Sequence, residues 1–347
     1  MRFAPVPLFR ACVIVAALVG MPADAASREL PANTPGEARQ YQHLVDAAGA
    51  VVAIKVKAIA NARSNQNLGA ERAGSGVVIA PQGLVLTIGY LILEADQVEV
   101  TTAAGRSVPA TVAAYDHATG FGLLRPLGPL GVKPIELGSS ARIDVDDHML
   151  VAASGEDARD GLSVAAVVSK RPFAAYWEYL LDEAIFTAPP RTDFGGAALI
   201  DREGKLVGIG SLFVMDASGA GERMPGNMFV PIDLLKPVLD EMIATGQQKG
   251  GRRPWIGLSS VEEDGRIKVV RVSVDGPAEK AGLQPGDILL SLDGEKLGNL
   301  ADFYRKLWAS GKPGTDVTMR VLKGTDVQEV KIHTIDRVEM LRKPSTI

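Results

Sequence analysis

The sequence predicts a mainly β protein: two barrel-like halves followed by a smaller α+β module. Three observations carry that prediction. Short apolar strands recur through most of the chain and are parted by turn signals, with 37 glycines and 21 prolines among 347 residues. Two adjacent glycines, Gly195 and Gly196, precede an apolar run, a charged turn at Gly204 and a second apolar run; this is a tight bend feeding a β-hairpin. A polar, glycine-rich stretch at 246–254 then gives way to a different texture, in which short helices alternate with strands.

From the N-terminus, Arg2 and Arg10 are followed by an apolar run of 11 residues and by Ala23-Asp24-Ala25. A positive start, a short apolar core and a small-x-small site predict a signal peptide over 1–25, cleaved after Ala25. The run is shorter than the about 20 residues that span a bilayer, so no membrane span is expected after cleavage. The single cysteine, Cys12, lies inside this segment. The mature chain therefore has no disulfide, thiol nucleophile or cysteine metal ligand, which fits export to a bacterial periplasm. A hydrophobic content of 46% with 22% charged residues suits a soluble globular protein, and a net charge of −4 gives no footprint for nucleic acid.

Residues 26–47 read as a polar lead with a short helix over 37–48. Strands follow at 51–57, 74–80, 84–87, 97–101 and 108–112, making a first half over about 48–130. A second half over about 131–235 has strands at 149–153, 162–168, 184–187, 197–200, 206–210 and 227–231, and a closing helix at 233–245. The linker is 246–254, the last module 255–337 and the tail 338–347. In that module, 276–283 is a short helix with Pro277 at its start and Gly282 at its end. Residues 300–310 form an amphipathic helix with Leu300, Phe303, Tyr304, Leu307 and Trp308 at helical spacing, and 316–323 with 327–334 make a hairpin.

The run Asp275-Gly-Pro-Ala-Glu-Lys-Ala-Gly-Leu-Gln-Pro-Gly-Asp-Ile-Leu289 resembles a PDZ domain of the bacterial kind that follows a protease. The resemblance implies capture of an extended peptide as an added strand, with a loop of backbone N–H groups on the terminal carboxylate. Trp255, Ile256, Gly257 and Leu258 match that loop, and Phe303 and Leu307 are candidates for the apolar wall of the groove. The alternatives are an ordinary strand at 255–258 and plain core for Phe303 and Leu307.

The preceding 48–245 resembles the trypsin-like serine proteases of the HtrA/DegP family, through Gly74-Ser-Gly-Val-Val-Ile79, Gly83-Leu-Val-Leu-Thr87 and Gly204-Lys-Leu-Val-Gly-Ile209. Such an enzyme needs a hydroxyl nucleophile, an imidazole to take its proton and a carboxylate to orient the ring. The resemblance puts Tyr90 in the histidine's place, Gly120 in the aspartate's and Phe194 in the serine's. The oxyanion-turn glycine becomes Thr192 and the proline after the two glycines Ala197. A phenol with pKa near 10 is a poor base and a phenyl ring has no nucleophilic atom. Tyr90 and Phe194 then read as plugs of the old cleft, or as the lining of a new one.

His43, His117 and His148 are the remaining candidates for a base, with Ser75 and Ser163 for a nucleophile. His43 lies in the lead helix, and His117 is near the lost aspartate's place, where it could face the old cleft or be a solvated turn residue. The two serines stand in strand or turn contexts without a paired base. Asp146, Asp147 and His148 are adjacent, and strand neighbours point to opposite faces, so no metal or cofactor is expected. The expected function is a non-catalytic relative that binds protein C-termini or unfolded polypeptides, as a periplasmic adaptor, a chaperone-like holder or a regulator of an active protease relative. The resemblance also implies homotrimers. The alternatives are an active serine endopeptidase of protein quality control using unidentified residues, and a structural subunit whose peptide groove is blocked.

Overall fold

The computed structural model describes residues 42–155, 161–246 and 252–342. The signal segment at 1–25, the lead up to 41 and most of the linker lie outside the described residues. Two compact units emerge: 61–63, 172–183 and the residues from 252 onward form the second, and the remainder forms the first.

The first unit opens with helix α1 (Gln42–Ala48) and strand β1 (Val51–Ala58). The four-residue helix α2 (Asn65–Leu68) precedes β2 (Glu71–Val78), β3 (Val85–Ile88), β4 (Ala95–Thr101), β5 (Ser107–Tyr115) and β6 (Phe121–Pro126). These strands close into a barrel in the order β1-β2-β3-β6-β5-β4. Val52, Ile54 and Val56 recur at every second position of β1 and are buried, the period of a half-covered strand. Gly76 lies where the strands close up: a Cβ there would stand 2.6 Å from Ile54 Cδ1 and from Val85 Cγ1.

A second barrel has the order β10-β11-β12-β9-β8-β7. Its strands are β7 (His148–Ala152), β8 (Leu162–Ala175), β9 (Tyr179–Ala188), β10 (Ala198–Ile200), β11 (Leu206–Val214) and β12 (Gly226–Pro231). Val151, Val167, Ile185, Leu199, Val207 and Phe229 belong to its core. The closing helix is shorter than the pattern over 233–245 predicts. Helix α3 spans Leu239–Thr245, after a 3₁₀ turn at Ile232–Leu234. Pro237 explains the late start, since it has no N–H for the intrahelical ladder.

The second unit has a sheet in the order β14-β15-β16-β18-β19, from Leu258–Glu263, Arg266–Val272, Ile288–Leu292, Asp316–Lys323 and Asp326–His333. Strand β17 (Glu295–Lys296) pairs with β16, and β13 (Pro254–Trp255) pairs with β20 (Ile335–Asp336). Helices α4 (Pro277–Lys280) and α5 (Leu300–Ala309) complete it. Asn299 caps α5 by accepting from the Asp302 N–H at 2.8 Å. Leu300, Phe303, Tyr304 and Leu307 form the buried stripe of α5 and join a core that includes Ile256, Leu258, Val269, Met319 and Leu180. Leu180 comes from 172–183, where the sequence pattern predicts no element. The outer parts of β8 and β9 are β-structured there, but small and apolar residues at 174, 175, 180 and 181 break the period-two alternation.

Candidate functional site

The turn at Gly195-Gly196 stands in the first unit, between a hydrogen-bonded frame and a phenol. Gly195 carbonyl accepts from Ser75 N at 2.8 Å, and Gly196 N donates to Gly210 carbonyl at 2.9 Å. Gly196 has φ +76, and a Cβ there would come 1.9 Å from the Ser75 carbonyl oxygen. No residue with a side chain fits this position. Phe194, at the mouth of the turn, is half-buried, and its carbonyl accepts from Ala197 N at 3.0 Å. Thr192 is exposed and is not among the residues with left-handed backbone angles.

Tyr90 lies in the 3₁₀ turn Gly89–Leu91 after β3. Its Oη donates to the Ser211 carbonyl at 3.1 Å, and a Cβ built on Gly195 would stand 2.9 Å from that oxygen. The hydroxyl is enclosed, and burial pushes the phenol well above its usual range. It therefore stays protonated at any physiological pH. Gly120 has φ +82, and its carbonyl accepts from Gly89 N at 2.6 Å. The three positions that the family pattern pairs are thus neighbours in space. The nearby Asp116 is buried and committed to its own turn: it accepts from Ala118 N, Thr119 N and Thr119 Oγ1 at 3.0, 3.1 and 2.5 Å.

The other residues weighed from the sequence do not gather there. Ser75 Oγ donates to the Ser154 carbonyl at 3.1 Å and accepts from Ser154 N at 2.9 Å, so its hydroxyl ties one barrel to the other. His43 Nε2 donates to the Arg202 carbonyl at 2.9 Å. His117 packs edge-on against Tyr115, with ring centres 4.2 Å apart. His148 is exposed, and Ser163 lies in β8. Asp147 caps its own loop by accepting from Asp144 N at 2.9 Å. Among the described residues no group of three or more His, Cys, Asp or Glu could hold a metal ion. A cavity of about 360 Å³ opens elsewhere in this unit, bordered by Gly138, Asp201 and Lys205, and includes none of Tyr90, Gly120 or Phe194.

In the second unit the loop between β13 and β14 points three backbone N–H groups at one carboxylate. Ile256 N reaches Glu178 Oε2 at 3.2 Å; Gly257 N and Leu258 N reach Oε1 at 2.7 and 2.8 Å. Gly257 has φ +84, and a Cβ there would come 2.9 Å from the Trp255 ring. Trp255 itself pairs with Ile335 across the two-stranded sheet. Phe303 and Leu307 are fully buried in the core of this unit. Glu178 lies in the turn between β8 and β9, is buried, and has φ +55. Burial pushes its carboxyl up to about 7, against the three N–H groups and the Arg337 guanidinium, which pull it down.

The same turn is held at two further points. Ser260 N donates to the Tyr176 carbonyl at 2.8 Å. Tyr304 Oη donates to the Ala175 carbonyl at 2.6 Å and accepts from Glu178 N at 3.1 Å. Sequence reasoning does not reach Glu178, Tyr304 or Ser260 as neighbours of the Ile256–Leu258 loop. Glu178 is 78 to 80 positions from the amides it meets, and the only local signal is the aromatic cluster Tyr176-Trp177-Glu178-Tyr179.

Comparison with known proteins follows both units. A trypsin-like peptidase domain matches 74–209 and a PDZ domain matches 254–334. The chain is similar to the serine endoprotease DegS of Haemophilus influenzae, 28% identical over 82% of this chain and 84% of that one. It is also similar to the chloroplastic Protease Do-like 1 of Arabidopsis thaliana, 28% identical over 75% of this chain and 62% of that one. With the periplasmic pH-dependent serine endoprotease DegQ of Escherichia coli it shares 26% identity, over 77% of this chain and 60% of that one. The chain thus spans most of DegS but less than two thirds of the other two. Among solved structures, an HtrA-type protease AlgW with decapeptide aligns with TM-score 0.53 and 21% identity, over 88% of this chain and 99% of that chain. A serine endoprotease from Yersinia pestis aligns with TM-score 0.51 and 23% identity, over 89% and 99%. At these identities the structures share a fold.

Proposed function

We propose that this chain, a member of the HtrA family with a trypsin-like domain followed by a PDZ domain, recognises polypeptide C-termini without cutting peptide bonds at the family's catalytic place. The observation that carries the reading is the convergence of the Ile256, Gly257 and Leu258 N–H groups on a single carboxylate. A loop that satisfies one carboxylate has the chemistry to hold the terminal carboxylate of a peptide. The non-cutting half of the proposal rests on Tyr90 and Phe194. Tyr90 keeps its proton and spends it on the Ser211 carbonyl. Phe194 brings carbon alone to the turn where a nucleophile is required. In this reading the protein serves as a periplasmic adaptor, chaperone-like holder or regulator of an active relative. Two relatives bear on the compartment: DegQ and a DegP-like endoprotease of Pseudomonas fulva are both described as periplasmic. Among the described residues no helix is long and apolar enough to cross a membrane.

The second reading, an active serine endopeptidase, is favoured by the endoprotease names of the relatives. A fluorophosphonate probe on the purified mature chain separates the two. The expected result is no covalent labelling and no digestion of unfolded casein. Labelling of any serine together with casein cleavage would overturn the non-catalytic reading.

A further inference from the structure

The loop that would receive a terminal carboxylate already holds one, supplied by the same chain. Each backbone N–H has one proton to donate, and those of Ile256, Gly257 and Leu258 all donate to Glu178. An incoming C-terminus finds none of the three free while that contact stands. The match extends past the carboxylate. The carbonyl of Tyr176, two residues before Glu178, accepts from Ser260 N, two residues beyond Leu258 on β14. Two residues on each side is the stride at which an added strand pairs with a sheet edge. Tyr304 closes the far side, reading a carbonyl and an N–H of the same turn with one hydroxyl.

We propose that the turn at 175–178 is a built-in ligand of the PDZ domain, with the Glu178 side chain in the place of a peptide's terminal carboxylate. A free C-terminus then binds only by displacing it. The inference rests on the peptide-binding reading above and deepens it by naming what the groove holds at rest. Apparent affinity for an external peptide is the intrinsic affinity multiplied by the fraction of time the turn is away from the loop. The turn is tethered at both ends by β8 and β9, so its local concentration at the loop is high whatever the concentration of free peptide.

The test uses the full mature chain and fluorescent decapeptides randomised at their last three positions, prepared with a free α-carboxylate or with an amide. Wild type is compared with Glu178→Ala, which empties the loop, and with Tyr304→Phe, which releases the turn and leaves every loop N–H in place. Both variants are expected to bind the free-acid pool at least ~10-fold more tightly than wild type, and none to bind the amide pool. Equal affinity in all three proteins overturns self-occlusion and leaves peptide binding standing. Failure of all three to bind overturns both. Binding by wild type alone overturns the inference, since the contact would then be a structural support. Amide hydrogen exchange guards against a misfolded variant. Addition of the free-acid pool to wild type should deprotect the backbone at 175–178, and unchanged protection at saturating peptide overturns the inference.

Discussion

The turn at Gly195-Gly196 and the loop at Ile256–Leu258 have opposite relations to function. The first keeps its backbone frame, with Gly196 pressed against Ser75, while Tyr90 brings a protonated phenol and Phe194 a phenyl ring to it. The second presents backbone N–H groups alone, and all three donate to Glu178. Catalysis of acyl transfer depends on particular side-chain atoms, so on the reading proposed above the residues at 90, 120 and 194 remove it while the fold persists. Recognition of a carboxylate by main-chain groups depends on a loop shape. Substitutions remove it only where they change that shape or fill it, as at Gly257. The comparison teaches that side-chain chemistry and backbone recognition respond to substitution differently: the first hangs on single atoms, the second on the shape of a loop.

The largest expected effect tests the frame around the cleft turn. Gly196→Ala should destabilise the first unit by more than about 3 kcal/mol, because the methyl group meets a backbone oxygen and φ is left-handed. Urea denaturation measures it, and a loss under about 0.5 kcal/mol would mean that the turn is not built this way.

Next comes the pH dependence of the loop contact. The groups acting on the Glu178 carboxyl are the three loop amides and the Arg337 guanidinium, with the Tyr304 hydroxyl close enough for its own titration to feel the carboxyl's charge. Docked, the carboxyl titrates at about 7, raised by burial from 4.5. Its folded value is the higher one, so its contribution is complete below about 4.5 and is lost as pH rises through about 7. The swing is at most about 3 kcal/mol. Exchange of the 256–258 amides, corrected for intrinsic rates, should quicken between pH 5 and pH 8 in wild type and stay level in Glu178→Gln. A level wild-type profile would show that the docked carboxylate is charged throughout.

The smallest effect concerns Tyr90. Tyr90→Phe removes one hydrogen bond to the Ser211 carbonyl and should cost about 1 kcal/mol, with no change in labelling by fluorophosphonate. A fall in any measured hydrolysis on this change would give Tyr90 a chemical role and erase the contrast between the two regions.

Much of this was legible in the sequence. Glycines that fix turns, such as Gly196 and Gly257, leave a local signature, and so do the amphipathic stripe of α5 and the Pro277 helix start. The absence of a histidine at 90 and of a serine at 194 could be read directly. What sequence reasoning missed has a common physical cause. The continuation of β8 and β9 into the second unit depends on burial by residues some 80 positions away, and covered strands show no alternation to read. Glu178 carries no signal in the sequence because its partners are main-chain amides, which no side-chain pattern announces. Ser75 likewise read as a strand serine, and its bridge to Ser154 spans 79 positions.

Glu178 also sits with φ +55, in a region where a residue with a Cβ is held about 1 kcal/mol or more above glycine. The hairpin by itself would favour glycine or asparagine at that corner, yet it is the Glu178 side chain that meets the loop amides. Local conformational preference and distant hydrogen bonding therefore pull this one residue in contrary directions.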